Sequence, residues 1–318
     1  MASTEYLGLD KSVNKMSPLV SVCVPTYQHA EYIVQCLDGI LAQEVAFPIE
    51  ILIGEDQSSD GTREICISYA DKYPDKIRLF LNDREDVIYF DGRPSGRANF
   101  LNLLSEARGE FVAICEGDDY WTDNSKLEQQ VAILRKFQEC SFVFHNASIV
   151  GGFRDGGDFS IGLSEGVYGI ELIIGQTWFV PTQSILFRKD SLEMGDWIKH
   201  IFNCDWGIQL MLAARSPYYY INKIMSVYRL HEKGTSHGRK RFSLRIKQIE
   251  TLCIFNCTSK FKYDGLIKER IESLREVMEA SIPSVESFVE NMSKKEKLLT
   301  FRYYVYLKRK LVRKIFGR

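Results

Sequence analysis

Three acids, Glu116, Asp118 and Asp119, fall together in the stretch CEGDDYW at 115–121, directly after the apolar run FVAI at 111–114. Hard divalent cations bind carboxylate oxygens and bridge to phosphates, usually through one or two protein carboxylates. The alternation of Glu116 and Asp118 at the end of an apolar run suits contact with a metal-diphosphate. It equally suits a solvated loop in which Asp118 or Asp119 caps a helix. Glu55 and Asp56 close a second apolar run, EILIGED at 50–56. Asp205 opens the helical pattern DWGIQLMLAAR at 205–215, where a carboxylate can cap the helix or take a proton.

These acids need elements to position them. LVSVCVP at 19–25, the run at 50–56, IRLFLN at 77–82, EFVAIC leading into the acidic stretch, and CSFVFHNA at 140–147 read as strands. Helical spacing falls between them at 31–43, from Ser59-Asp60-Gly61-Thr62 to about 73, at 95–107 and at 126–137. Alternating strands and helices predict an α/β fold with a largely parallel sheet, and ligands of such sheets bind beyond the carboxyl ends of the strands. There Pro25-Thr26-Tyr27, Glu55-Asp56 and Glu116-Gly117-Asp118-Asp119 meet, carboxylates that repel one another unless a cation or a donor-rich ligand joins them. Further on, GGFRDGGDFSIG reads as a loop, QSILFRK at 183–189 as a strand, and YYYINKIMSVYRLH at 218–231 as two short strands about a turn at Asn222-Lys223.

The chain has 318 residues, 45% of them hydrophobic, enough for a substantial core. Its 41 Lys and Arg against 42 Asp and Glu leave a net charge of -1, which argues against nucleic acid as a partner. The 8 cysteines show no C-x-x-C pair and no zinc spacing, so they read as reduced core residues of a cytoplasmic protein. The N-terminus lacks the basic and apolar regions of a signal peptide, and no apolar run is long enough to span a bilayer.

The segments VSVCVPTYQHAEYI, EILIGEDQSSDGT, ARGEFVAICEGDDYW, CDWGIQL and MSVYRLH occur in this order, and together they resemble family-2 glycosyltransferases over roughly 19–235. The EGDDYW form looks most like bacterial enzymes of capsule, exopolysaccharide and lipopolysaccharide synthesis. The resemblance implies a GT-A fold, a Rossmann-like mixed sheet flanked by helices, and an inverting, metal-dependent transfer of a sugar, from UDP by family frequency, to a glycan or lipid-linked acceptor. By the same resemblance Pro25, Thr26 and Tyr27 line the nucleotide pocket, Glu55 and Asp56 offer an acceptor to the base, and Arg97 lies near the nucleotide. Glu116 and Asp118 match the D-x-D motif, Asp119 positions sugar or ribose, and Asp118 with His231 holds Mn²⁺ or Mg²⁺. Asp205 matches the general base, and Trp206 beside it suits either stacking on an acceptor sugar or a buried core position. The chain departs from the family pattern in having Glu116 and Glu55 for aspartates, Gln57 where glycine is frequent, and Cys204 before the base.

Three regions are expected: a flexible arm at 1–18, the GT-A domain at 19–238, and a helical C-terminal extension at 239–318. The basic amphipathic stretch 297–318 suits peripheral contact with the inner face of the cell membrane, or packing on the catalytic domain or a second subunit in an oligomer. Two rival functions share parts of the pattern. A non-catalytic nucleotide-sugar or glycan-binding protein would not need the acids at 56, 118 and 205; a nucleotidyltransferase would need a Gly-rich loop ending in Arg near the first strand, which PTYQHAEY lacks.

Overall fold

The structure, a computed structural model of the chain, describes residues 4–8, 17–90, 93–152, 155–159, 162–176, 179–231 and 241–280. The stretch 297–318 lies outside them. The chain divides into two units, 1–267 and 268–318, a boundary later than the expected 238. In chain order the elements are β1 (Thr4–Tyr6), β2 (Val20–Thr26), α1 (Ile33–Leu41), β3 (Ile49–Glu55), α2 (Thr62–Lys72), β4 (Ile77–Leu81), β5 (Ile88–Phe90), β6 (Arg93–Ser95), α3 (Arg97–Glu106) and β7 (Phe111–Ile114). They continue with β8 (Tyr120–Trp121), α4 (Lys126–Lys136), β9 (Phe142–Val150), β10 (Gly166–Tyr168), α5 (Ile170–Gly175), β11 (Leu186–Arg188), α6 (Cys204–Arg215), β12 (Tyr218–Arg229), α7 (Arg241–Thr258) and α8 (Asp264–Ala280). Of the second unit the described residues are the continuation of α8.

Among the described residues, 10 strands form one mixed sheet in the order β1-β4-β3-β2-β7-β11-β9-β12-β10, with β8 paired to β12 off that path. The neighbours β4, β3, β2 and β7 are parallel. β11 runs antiparallel to both β7 and β9, so those two share one direction, and β12 is parallel to β9. The carboxyl ends of β2, β3, β7 and β12 therefore open on one edge. The turn that leads into the reversed strand β11 lies on that edge as well.

Burial explains the strand sequences. Val20, Val22, Cys23 and Val24 of β2 and Ile51, Leu52 and Ile53 of β3 are wholly buried, as strands covered on both faces require. Helix α1 turns Ile33, Cys36, Leu37 and Ile40 onto the sheet at helical spacing. Cys23, Cys36, Cys66, Cys115 and Cys140 are all buried.

Several elements differ from the sequence expectations. Thr4–Tyr6, inside the expected arm, pair with the outer side of β4. The Asn222-Lys223 turn is instead a bulge within one long strand, because β9 pairs with β12 on both sides of the register shift. Only Leu186–Arg188 of the expected 183–189 strand pairs, preceded by a 3₁₀ turn at Thr182–Ser184. The β5–β6 hairpin, β8, β10 and α5 are too short to leave a periodic signal in the sequence.

Candidate active site

The first two strand exits are tied to each other. The backbone N–H groups of Gln28, His29 and Ala30 donate to Ser58 Oγ (2.9 Å), Thr62 Oγ1 (2.8 Å) and Asp60 Oδ2 (3.1 Å). Asp60 Oδ1 also accepts the Thr62 N–H and hydroxyl, at 3.1 and 2.6 Å, so one carboxylate ties the start of α2 to the loop after β2. Glu55 and Asp56 have different tasks. Glu55, wholly buried, accepts the Ser58 N–H at 2.6 Å and pairs with Arg63, so its carboxylate is consumed by its own turn. Of the two acids expected to offer an acceptor to the base, Glu55 is the one engaged by its own turn. Asp56 is left as the acid of the pair, its carboxyl raised above the usual range by burial and drawn back by Arg84. The Arg84 guanidinium lies 4.0 Å from the centroid of the exposed Tyr27 ring, and the Arg84 backbone N–H donates to Gln57 Oε1 at 2.9 Å. Gln57 has φ 56°, the left-handed region that glycine favours, which accounts for the glycine frequent there in the family pattern.

The exit of β7 is built around Gly117. Its N–H donates to the Pro25 carbonyl at 3.0 Å, and a Cβ there would stand 2.5 Å from Thr26 Oγ1 and 3.0 Å from His29 Nδ1. Pro25 and Thr26 thus make the floor of the exit, and Thr26 spends its hydroxyl on His29 Nδ1 at 3.2 Å. Asp118 Oδ2 is 3.0 Å from His231 Nε2 and 3.7 Å from His29 Nε2. Arg229, two residues before His231, fixes this turn: its N–H donates to Asp119 Oδ1 at 2.8 Å and its guanidinium to the Asp118 carbonyl at 2.6 Å. Neither His29 nor Arg229 was singled out from the sequence, although both lie inside motifs quoted above. Their signal was position alone.

The start of α6 brings Asp205 to the same edge. The Thr182 hydroxyl donates to Asp205 Oδ2 at 3.4 Å. The turn carrying Thr182 is held from the core by the Trp121 indole N–H on the Gln183 carbonyl (2.8 Å) and by Gln130 Nε2 on the Ser184 carbonyl (2.7 Å). Lys126 completes this support: wholly buried, it donates to Gln130 Oε1 at 2.7 Å and lies 3.9 Å from the Trp121 ring centroid. Burial pushes its ammonium down to about 7. Arg97, expected beside the nucleotide, directs its guanidinium to the carbonyls of Lys199, Ile201 and Phe202, just before α6. Five donors in a rigid fork suit that clamp, and it places the helix that carries Asp205. Trp206 is buried, with its indole N–H on the Ile173 carbonyl at 3.1 Å. Consecutive helix residues point about 100° apart, so Asp205 faces the edge while Trp206 faces the core, the second of the two positions expected for it.

The electrostatics bind these pieces into one site. Burial raises the Glu116 carboxyl well above the usual range, and the charges of Asp118 and Asp205 raise it further, although Asp205 lies far along the chain. Asp119 is raised well above as well, by burial and then by Asp118 and Glu116, and its Oδ2 has no hydrogen-bond partner. Asp205 is raised by burial, against the backbone N–H groups at the helix start and Thr182. Asp118 differs: burial would raise it, but the His231 hydrogen bond and the charges of His29 and His231 hold it below the usual range.

The donor set fits a divalent cation. Carboxylate oxygen and imidazole nitrogen both bind transition-metal dications, and Asp118 Oδ2 and His231 Nε2, hydrogen-bonded to each other at 3.0 Å, are the two such donors the D-x-D match brings together. Among the described residues no three His, Cys, Asp or Glu side chains form a ready-made metal cluster. A site that leaves positions to diphosphate oxygens needs none. No described helix is long and apolar enough to cross a membrane.

Comparison with known proteins agrees with this arrangement. Residues 21–193 match Glycosyl transferase family 2. An uncharacterized protein of Mycobacterium tuberculosis is 32% identical over 222 residues, 69% of this chain, and the chain spans 61% of that relative's length. TuaG of Bacillus subtilis, named as a glycosyltransferase of teichuronic acid biosynthesis, is 32% identical over 133 residues, 42% of this chain and 48% of its own. Among solved structures, residues 1–349 of S. aureus TarS in complex with UDP-GlcNAc superpose with TM-score 0.60 at 16% identity, covering 87% of this chain and 77% of that one. The mannosyltransferase PcManGT from Pyrobaculum calidifontis, in complex with GDP-Man and Mn²⁺, gives 0.52 at 17% identity over 98% and 91% of the two chains. Those structures share the GT-A-like fold of a mixed sheet flanked by helices. On the sequence match across more than half its length, the chain belongs to glycosyltransferase family 2.

Proposed function

We propose that the chain is an inverting, divalent-metal-dependent glycosyltransferase that moves a sugar from a UDP-sugar to a hydroxyl of a glycan or lipid-linked acceptor in bacterial surface polysaccharide synthesis. The observation that carries this reading is the convergence of Asp56, Glu116, Asp118, Asp119 and Asp205 on one sheet edge, with Glu116 raised by Asp205 from another element. The UDP-GlcNAc complex of TarS supports the choice of nucleotide, and the Mn²⁺ complex of PcManGT that of metal.

Tyr27 offers the base a flat aromatic face, and Asp56 accepts from its N–H. Asp119 accepts from the hydroxyls of ribose or sugar, the purpose of its unpartnered oxygen. Asp118 and His231 would hold Mn²⁺ or Mg²⁺, which supplies positive charge against the departing diphosphate. Asp205 takes the proton of the acceptor hydroxyl as that oxygen bonds to the anomeric carbon and the bond from that carbon to the diphosphate breaks. A single displacement inverts the carbon. Burial suits Asp205 to this work, because a carboxylate of raised proton affinity is the stronger base, while Thr182 and the helix start keep it aimed.

The test is a thermal-shift screen of UDP-, dTDP- and GDP-sugars with and without Mn²⁺, followed by product detection with the best donor. A metal-dependent shift with a UDP-sugar, together with transfer that Asp205→Asn removes while binding persists, is the expected result. Undiminished transfer by Asp205→Asn would take the base role from it.

A further inference from the structure

The turn that carries Thr182 is gripped from a single place in the core. Gln130 of α4, wholly buried, donates from Nε2 to the Ser184 carbonyl at 2.7 Å, and the Trp121 indole donates to the Gln183 carbonyl at 2.8 Å. Both donors touch one ammonium: Lys126 Nζ is 2.7 Å from Gln130 Oε1 and 3.9 Å from the centroid of the Trp121 ring. A buried lysine thus stands behind two successive carbonyls of the turn whose first residue, Thr182, donates to Asp205 Oδ2.

The chemistry of the two side chains fixes which way the grip works. Lysine has three donors and no acceptor, so Gln130 must present its oxygen to Nζ and its amide N–H groups to Ser184. Without that ammonium the amide would be free to turn over and set its oxygen against the Ser184 carbonyl. Both ends of the strut are held. Gln43 fastens the start of α4 by accepting the Leu127 N–H at 3.0 Å and donating to the Asp123 carbonyl at 2.8 Å, while Ser184 Oγ closes the turn onto the Pro181 carbonyl at 2.6 Å. The arrangement is costly to the fold, because burial penalises the charged lysine and the groups that hold it are a neutral amide and an aromatic face. Proteins carry such costs where a functional group has to be positioned.

Resting on the base role of Asp205 above, we infer that Gln130, oriented by Lys126, is a positioning residue for sugar transfer: it sets Thr182, and through Thr182 the aim of Asp205. Gln130 and Lys126 are wholly buried, so neither meets the donor, and their effect falls on the rate of transfer and not on donor binding. A small displacement of a reacting group by a change remote from the chemistry slows the reaction in this way.

The test uses the full chain with Mn²⁺ and whichever of UDP-GlcNAc, UDP-glucose and UDP-galactose it turns over fastest, and reads release of UDP with water as the acceptor. The water oxygen bonds to the anomeric carbon, the bond from that carbon to the diphosphate breaks, and Asp205 takes the proton. Gln130→Glu keeps an acceptor for Lys126 and the shape of the side chain but loses the amide donor to Ser184. It is expected to lower kcat about tenfold or more and to leave KM for the donor unchanged. Gln130→Met, which lacks the donor and buries no charge, should behave alike and serves if Gln130→Glu does not fold. Thr182→Val should lower kcat as well, and the double variant should lose no more than the more impaired single one, since both changes break one path. Wild-type kcat in a folded Gln130 variant, a loss that appears in KM, or losses that multiply in the double variant would overturn the inference while Asp205→Asn still supports the base. If Asp205→Asn releases UDP as fast as the wild type, or the wild type releases none, the base reading falls and the inference with it.

Discussion

The two edges of the sheet treat buried acids in opposite ways. At the edge where β2 and β3 begin, Glu50 is wholly buried, yet it accepts from Ser21 Oγ at 2.6 Å and from the Arg108 side chain at 2.8 and 2.5 Å, with Arg78 at 3.7 Å. Arg78 goes on to pair with Glu5 and Glu106. Acids and cations there are matched within the protein. At the edge where the same strands end, Glu116, Asp118, Asp119 and Asp205 crowd together, an Asp119 oxygen has no partner, and three of the four carboxyls are raised. A matched buried acid holds the fold together; an unmatched group of acids is a standing cost that a cation or a donor-rich ligand relieves. Glu55 and Asp56 differ as neighbours, the first matched by Arg63 and Ser58, the second raised by burial and only partly drawn back by Arg84 and Asn82.

Substitutions should separate the edges. Asp205→Asn is expected to reduce transfer by about 10²–10⁴-fold with nucleotide binding kept, as read by product formation and calorimetry. Glu50→Ala should cost about 3–5 kcal/mol of stability by leaving Arg108 and Arg78 beside an empty position, measured by denaturant unfolding, with nucleotide affinity in the surviving folded protein unchanged. Asp118→Ala should do the reverse: metal-dependent UDP affinity falls by about tenfold or more, while the ligand-free melting temperature falls less than for Glu50→Ala, because the lost hydrogen bond to His231 is offset by relief of the repulsion on Glu116 and Asp119. A drop in melting temperature with unchanged affinity would erase the distinction between the edges.

Lys126 offers a smaller test, set by pH. Unfolded, its ammonium keeps its proton to about 10.4; folded, burial brings it down to about 7. Between those values the unfolded chain binds more protons, so stability rises with pH across that window. Lys126→Met should flatten the rise in a series of melting curves, and an identical slope in both proteins would show that the ammonium is not desolvated. The smallest effect is expected for Gln57→Gly. Relief of a left-handed φ offsets the lost hydrogen bond to Arg84 N–H, leaving stability within about 0.5 kcal/mol, as unfolding curves would show.

The strand-helix alternation and the acidic exits could be read from the sequence because they depend on local periodicity and residue type. Runs such as Val20–Thr26 and Ile49–Glu55 are mostly apolar because both their faces are covered, and their ends are polar because they leave the core. Partner choice could not be read that way. Glu55 and Asp56 are equivalent as letters, and only the position of Arg63, the second residue of α2, makes one structural. The partners of Arg97 and Trp206 were hidden for the same reason: the carbonyls that receive their N–H groups belong to Lys199, Ile201, Phe202 and Ile173, distant along the chain or facing away around a helix.

The sequence alone determined that the core strands β2, β3, β4, β7 and β9 would form, that the exits of β3 and β7 would carry carboxylates, and which family the chain resembles, because apolar runs, turn residues and motif order are properties of the chain as written. Tertiary structure decided which of those acids remain free of internal partners. It reversed β11 so that Thr182 enters at the edge where Asp205 begins its helix, and brought His29 and His231 to one oxygen of Asp118. Those facts depend on distances between segments far apart in sequence, and such distances exist only once the sheet order is set.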